Sequence, residues 1–227
     1  MSRLRTRLVL AGAAALAAVT VLTGPAGAAV TDEAATADAA RAAVRIAQDA
    51  AAEAGVEARA TTPAASIGSA VIREDGDFLR RSAQAGIFVI PLPPGTPAYD
   101  SAAGFSASFP VTGATGVLRE YYGNVQLDGS LLAVNLRTGR AVVYRQLAFD
   151  IDSWQITGVP AGGTAPVGLL TPSGDSTVSV AGGVSSLTSA GLTVTTEGAQ
   201  RLNQQLATDF FRADVKVGSF ALSYTQG

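Results

Sequence analysis

The amino-acid sequence predicts an α+β, mainly β fold: an antiparallel sandwich or curved sheet with an N-terminal Ala-rich helix and a C-terminal helix. From about Ser66 onward, short apolar runs alternate in period two, and Gly, Pro, Asn and Asp separate them. Helical spacing of apolar residues returns only after Thr196. We therefore expect one β-rich domain over residues 66–227, preceded by an Ala-rich helical segment or spacer over residues 29–62.

Residues 1–28 have the three-part pattern of a secretory signal peptide. Three Arg residues make the start basic, an uncharged apolar run extends from Leu8 to Leu22, and Ala26-Gly27-Ala28 offers small residues for cleavage. The apolar run is shorter than the roughly 20 residues that cross a bilayer, and the chain has no Cys that could carry a lipid. We therefore expect a secreted, extracellular protein that does not stay in the membrane, with association with the cell wall left open.

The composition narrows the possible functions. After signal cleavage the chain would carry 13 basic and 18 acidic side chains, and an acidic surface repels phosphate, so nucleic acid is not an expected partner. The chain has no His and no Cys, which removes the commonest nucleophile–base pairs and most zinc and copper sites. We expect no metal, no cofactor and no enzymatic activity. The abundance of Ala and Gly, with Arg preferred to Lys, is typical of a GC-rich genome and favours an actinobacterial source.

The segment from Thr31 to about Ala60 reads as a helix. Thr31 or Asp32 can cap its start, and its many Ala residues lower the cost of helix formation. The helix has few large apolar residues, so the apolar face that could pack against a core is narrow. We expect this helix to dock weakly or to act as a spacer.

The second zone, from about Ser66 to Pro166, predicts a series of strands joined by turns. Pro91 should end the second strand, the Pro-rich stretch after it should be an extended connection, and Asp128-Gly129 is a two-residue hairpin signal. Glu74, Asp75 and Asp77 around Gly76 read as a plain β-turn. The expected strands cover residues 70–72, 86–90, 116–126, 131–136, 141–152 and 154–159, with a β-bulge near Tyr144.

The third zone predicts two further strands, a helix and a final strand. Residues 162–163 and 172–175 should be loops, and strands over 177–180 and 192–195 should flank a Gly/Ser-rich stretch. A helix from Thr196 to about Thr208 should bury Leu202 and Leu206. The last strand should cover residues 215–224.

Several aromatic side chains are candidates for ligand binding. Tyr121, Tyr122, Tyr144 and Trp154 form the largest aromatic concentration in the sequence, and on neighbouring strands they would line a groove for a flat ligand or a carbohydrate. The alternative is that they pack in the core or at its rim. Adjacent residues of a strand point to opposite faces, so at most one of Tyr121 and Tyr122 should face inward.

Four segments of the sequence carry a resemblance to a known family: Phe109-Pro110-Val111-Thr112-Gly113, Gly123 to Leu131, Leu147-Ala148-Phe149-Asp150-Ile151 and Leu192 to Asn203. They resemble HtaA-type domains, which are β-rich modules of secreted and cell-wall proteins of actinobacteria. The resemblance covers about residues 105–225, its motifs are mostly turns and core residues, and it implies the fold. Some of these domains bind haem through a Tyr assisted by a His, but this chain has no His, and Tyr99, the nearest Tyr, lies on the wrong side of the Pro-rich stretch.

Three functions therefore remain open. The first is a secreted, non-enzymatic β-rich module that binds an unidentified ligand or a cell-surface partner. The second is a module that binds haem or another planar ligand through a Tyr. The third is a hydrolase that uses Asp150 and Asp152, two carboxylates expected on one face of a strand and about 6.5–7 Å apart by strand rise; their plainer interpretation is the solvent face of a half-buried strand.

Overall fold

A computed structural model of the protein describes residues 65–100 and 104–226, so the predicted signal peptide and Ala-rich helix lie outside the described residues. The fold is mainly β, as predicted. The described part holds two helices, α1 (Gly76–Ala85) and α2 (Thr196–Leu206). Its strands are β1 (Gly68–Glu74), β2 (Ile87–Leu92), β3 (Thr96–Asp100), β4 (Gly104–Ala114), β5 (Asn124–Leu127), β6 (Ser130–Asn135), β7 (Arg140–Asp150), β8 (Gln155–Pro160), β9 (Val167–Ala181), β10 (Val184–Val194) and β11 (Lys216–Thr225).

The sheet closes on itself. Within the described residues, eight antiparallel strands form a barrel in the order β7, β5, β4, β1, β11, β10, β9, β8 and back to β7. β6 and β2 continue from one edge of β7, and β3 pairs with β4. The predicted sandwich or curved sheet is roughly compatible with this architecture, but closure was not predicted. Closure of the sheet depends on β7. The first half of β7 pairs with β6, and its last residues pair with β5 along the same edge, so the other edge is free to pair with β8.

A β-bulge in β7 sets which side chains face the core. Gln146 has a φ of 51°, and the pairing with β8 shifts register between Arg145 and Ala148. Tyr144 is buried before the bulge, and Phe149 is buried after it. The predicted bulge near Tyr144 is confirmed, and because a bulge adds one residue, neither of the two alternating sets applies to the whole strand.

The acidic segment at the end of β1 begins a helix, so its assignment to a plain β-turn was wrong. The Asp75 carboxylate accepts hydrogen bonds from the backbone N–H groups of Asp77 (3.0 Å) and Phe78 (3.1 Å), which are free donors in the first turn of α1. Phe78 and Leu79 then bury the face of α1 against the barrel. No helix in the described part of the chain is long and apolar enough to cross a membrane.

The C-terminal helix and last strand agree with the prediction. Thr195 caps α2 through a bond of 2.8 Å from the N–H of Gly198. Leu202 and Leu206 are buried on α2, and Phe220 and Leu222 are buried on β11.

Some predicted strand ends were wrong. β2 continues through Pro91, which costs no ladder bond because this edge strand pairs only with β6. The Pro-rich stretch is partly strand, since β3 pairs with β4. The predicted strand over 116–126 is a 3-10 turn (Leu118–Glu120) followed by β5. Residues 172–175 lie inside β9, where a register shift opposite Gly191 accommodates them.

The Asp128-Gly129 pair joins two strands that do not pair with each other, so the predicted hairpin was wrong. β5 pairs with β4 and β7, whereas β6 pairs with β2 and β7. The N–H of Asp128 donates to the carbonyl oxygen of Pro110 on β4 at 2.8 Å. Gly129 has a φ of 127° and lies close to Phe109. The turn residues therefore mark a corner at which the chain changes partner.

Candidate functional site

The four predicted aromatic residues do not form one groove. Tyr121 and Tyr122 are exposed, Trp154 is half-buried, and the side chain of Tyr144 is buried inside the barrel. Neither of the adjacent Tyr residues faces inward, because Tyr121 lies in the left-handed region (φ 53°) at the end of the 3-10 turn and breaks the alternation of a strand. As ligand-binding residues all four stay predictions.

The exposed Tyr121 and the half-buried Trp154 form an aromatic pair, called here the surface pair. Their ring centroids are 5.5 Å apart, and Trp154 also contacts the edge of the buried Phe149 at 5.3 Å. Trp154 has a φ of 57°, and a bulky residue in this region costs roughly 1–2 kcal/mol. Tyr121 is 64% exposed, so the pair lies at the surface of the molecule.

Asp150 and Asp152 do not share the face of a strand. β7 ends at Asp150, and Asp152 lies in the turn that follows. The Asp150 carboxylate accepts from the N–H groups of Asp152 (3.0 Å) and Ser153 (3.3 Å), and the Asp152 carboxylate accepts from Gly123 N–H at 3.1 Å. Phe149 and Ile151 are buried, as the plainer interpretation expected. Both carboxylates thus order the turn, and the spacing argument for a catalytic pair was wrong.

A cavity of about 70 Å³ lies at the end of the barrel that α1 and α2 cover. We call it the inner cavity. Apolar side chains from the barrel, from the β2–β6 extension and from both helices line almost all of it; they include Ile72, Phe78, Val89, Leu169, Leu202 and Phe211.

Glu74 places a carboxyl group in this apolar wall. Ala70 and Ile72 are the buried residues of β1, and the period of two puts Glu74 on the same inward face. Opposite Glu74 in the β1–β11 ladder stands Gly218, so no side chain projects from that position of β11. No donor within the described residues lies in hydrogen-bond distance of the carboxyl oxygens.

Burial raises the pKa of the Glu74 carboxyl to about 8. The residue is half-buried and borders the cavity, and protein atoms replace much of the water that would stabilise the carboxylate. The carboxyl group is therefore mostly protonated at neutral pH. A carboxyl group kept neutral in an apolar site is a hydrogen-bond donor, whereas an ionised one only accepts.

Tyr144 lines the same cavity but has its polar group engaged. Its hydroxyl donates to the side-chain oxygen of Gln205 on α2 at 2.6 Å. Burial raises the pKa of Tyr144 to about 12, although the charge of Arg201 acts in the opposite direction. Tyr144 is thus neutral over the physiological range. Because its hydroxyl is engaged by Gln205, only its ring is free to contact a ligand in the cavity.

Sequence reasoning overlooked Glu74 as a site residue. The acidic residues around Gly76 were assigned to a turn, and the strand was predicted to end at Ile72. The alternation of Ala70 and Ile72 was therefore not continued to Glu74, the last residue of β1. An acidic side chain on the apolar face of a strand is the signal that identifies it. The cavity itself has no comparable signal, because its walls come from segments distributed over the whole described chain.

Comparison with known proteins gives a structural likeness and no sequence family. Neither the protein-family models nor the curated proteins match the sequence. The weak resemblance to HtaA-type domains has a structural counterpart: the chain is similar to the crystal structure of the C-terminal domain of HtaA from Corynebacterium glutamicum. The TM-score is 0.49 and the sequence identity 11%, over 71% of this chain and 98% of that one.

Proposed function

We propose that the protein is a secreted, non-enzymatic binding module whose barrel holds a small, largely apolar ligand in the inner cavity. The observation that carries this proposal is the apolar cavity of about 70 Å³ with a single unpartnered carboxyl group in its wall. An apolar pocket with few polar groups, one of them with a perturbed pKa, is the usual form of a small-molecule site.

The barrel architecture supports such a function. An eight-stranded barrel has an interior that side chains just fill or that holds one small ligand. In the described part of this chain the space lies toward the end covered by the helices, where Ala107 and Ala133 leave room between larger neighbours. A cavity of roughly 150 Å³ holds benzene, so a ligand of about half that size enters the inner cavity without rearrangement of its walls.

The sequence supports export and a binding role. Residues 1–28 have the pattern of a signal peptide, and the chain lacks the His and Cys side chains that most enzymes use. The acidic balance disfavours nucleic acid as a partner. We propose an extracellular location on this basis.

Xenon tests the cavity proposal because it is apolar, small and free of hydrogen-bonding groups. We expect one saturable xenon site in NMR titrations of the protein. The variant Ala133→Leu fills the cavity wall and should abolish the site, since Ala133 is buried and lines the cavity. The matched control is Ala141→Leu, on the exposed side of the neighbouring strand β7. Xenon binding that survives Ala133→Leu in a folded variant would contradict the proposal.

A second candidate is the binding of a planar or ring-shaped ligand on the surface pair. It is supported by the exposure of Tyr121 and its ring contact with Trp154. Haem is one planar ligand of this class, but the chain offers no His beside any Tyr, so the Tyr–His pair of haem-binding HtaA-type domains has no equivalent here.

Trp154 is the only Trp in the chain, so its fluorescence reports on this surface. We expect cellohexaose to change the emission of Trp154 and Tyr121→Ala to weaken the binding about tenfold, a stacking loss of about 1.4 kcal/mol. Tyr122→Ala is the control, because Tyr122 is exposed but has no ring contact with Trp154. Equal effects of the two variants, or no response to the sugar, would exclude a sugar as the ligand of the surface pair. A haemin titration without a Soret shift would exclude haem.

A further inference from the structure

We propose that the ligand of the inner cavity is an uncharged molecule with one hydrogen-bond acceptor, and that the protonated carboxyl of Glu74 donates to it. This inference rests on the proposed binding function and specifies its ligand class. It identifies Glu74 as the residue that selects among apolar molecules of equal size.

The position of Glu74 gives the first reason. Strand alternation directs its side chain into the barrel with Ile72, where Glu74 lines the inner cavity, and the residue opposite it on β11 is Gly218. A Cβ at Gly218 would lie 2.1 Å from the carbonyl oxygen of Arg73, so the ladder itself requires glycine there. The carboxyl group is thus held at the cavity wall without a protein partner among the described residues.

The surroundings of the carboxyl give the second reason. Among the residues that line the cavity, Tyr144 on β7 is the only other titratable group, and its hydroxyl already donates to Gln205. Arg73 and Asp75 flank Glu74 in the chain, Lys216 is exposed on β11, and Arg201 is exposed on α2. None of these charges contributes to the raised pKa of Glu74, whose cause is burial alone.

The energetics decide between an uncharged and a cationic ligand. An ammonium group would need a carboxylate in the same apolar cavity, and a buried ion pair is favourable only if further hydrogen bonds satisfy both charges. The lining offers no such groups, since Tyr144 is engaged and the other lining side chains are apolar. An uncharged acceptor needs only the one donor that a protonated carboxyl supplies.

Three molecules of three heavy atoms and nearly equal size separate these possibilities. Dimethyl ether has one acceptor, propane has none, and dimethylamine is a cation at neutral pH. We expect dimethyl ether and propane to bind in NMR titrations and dimethylammonium not to bind. Between about pH 7 and pH 9.5, dimethyl ether binding should weaken more than tenfold as Glu74 loses its proton, whereas propane binding should change little.

Variants of Glu74 test the hydrogen bond directly. Glu74→Leu should weaken dimethyl ether binding about fivefold more than propane binding, the ratio expected for one net hydrogen bond. Glu74→Gln keeps an N–H donor, so it should retain dimethyl ether binding and lose the pH dependence. Glu120→Gln is the matched control at an exposed carboxyl of the 3-10 turn, and it should behave as the parent protein does.

The failures are distinguishable. If dimethyl ether and propane respond equally to Glu74→Leu and to pH, the role of Glu74 is refuted while the cavity remains a binding site. If dimethylammonium binds and its affinity rises with pH, Glu74 acts as a carboxylate and the proposal is overturned. If xenon binds but none of the three molecules does, the ligand class proposed here is refuted. If xenon does not bind either, the cavity function itself is wrong.

Discussion

At the scale of single residues, Glu74 shows how strand geometry can force a polar group into an apolar interior. Its position on β1 follows from the same alternation that buries Ala70 and Ile72. The unfolded chain solvates this carboxylate fully, whereas the folded barrel does not. The consequence is a carboxyl group that lowers stability at high pH and is a hydrogen-bond donor only while it is protonated.

The pH dependence of stability follows from this difference. The pKa of Glu74 is about 8 in the folded protein and about 4.3 in an unfolded chain. Between these values the folded state keeps the proton and the unfolded state loses it, so the contribution of Glu74 to the free energy of unfolding falls as pH rises and is constant above about pH 8.

We therefore expect Glu74→Gln to be more stable than the parent protein at about pH 9, by about 2–3 kcal/mol after allowance for the partial exposure of the carboxyl. The two proteins should differ less at about pH 5. Urea unfolding at a series of pH values measures this, with Glu120→Gln as the exposed control. A constant difference between the Glu74→Gln and parent curves at all pH values would contradict the raised pKa.

At the scale of elements, α1 depends on its first residues. The chain turns from β1 into α1 within a single residue, Asp75, whose backbone is extended and whose carboxylate holds two N–H groups of the first turn. The helix then places Phe78 against Phe210 with ring centroids 5.7 Å apart. Because Phe78 lines the inner cavity, the cap also determines how one wall of the cavity is positioned.

Removal of the cap should loosen that wall. Asp75→Ala should lower the free energy of unfolding by about 1 kcal/mol, the usual contribution of an N-cap. Asp75→Asn keeps an acceptor oxygen and should lose much less. Thermal unfolding gives the stabilities, and amide exchange in α1 shows whether the loss is local. Equal stabilities of the Ala variant and the parent protein would refute the role of the cap.

The sequence predicted those elements whose ends are set by residues of the element itself, such as a capping side chain. Thr195, Leu202 and Leu206 identify α2 because a cap and an apolar stripe are properties of the segment itself. The Asp75 cap has equally local chemistry, but the neighbouring acids and Gly76 matched a turn as well. Asp128-Gly129 matched a hairpin because a turn sequence shows only that the chain bends there. It does not show whether the two flanking strands pair with each other, and here they do not.

At the scale of the whole molecule, closure of the barrel creates the site. β7 pairs with β6 and β5 in succession along one edge and with β8 along the other, so the ring of strands has no open edge between β5 and β8. The helices and Phe211 then cover one end of the barrel. The inner cavity is the space that remains between these parts, and no single segment contains it.

The sequence by itself determined the β-rich class, the second helix, the bulge in β7 and most of the core alternation, because each follows from side chains a few residues apart. Only the tertiary structure decided that the sheet closes, that Tyr144 is separated from the surface pair, and that Glu74 faces a cavity. Those features depend on contacts between residues far apart in the chain, such as Glu74 and Gly218. Residue spacing does not specify contacts of that kind.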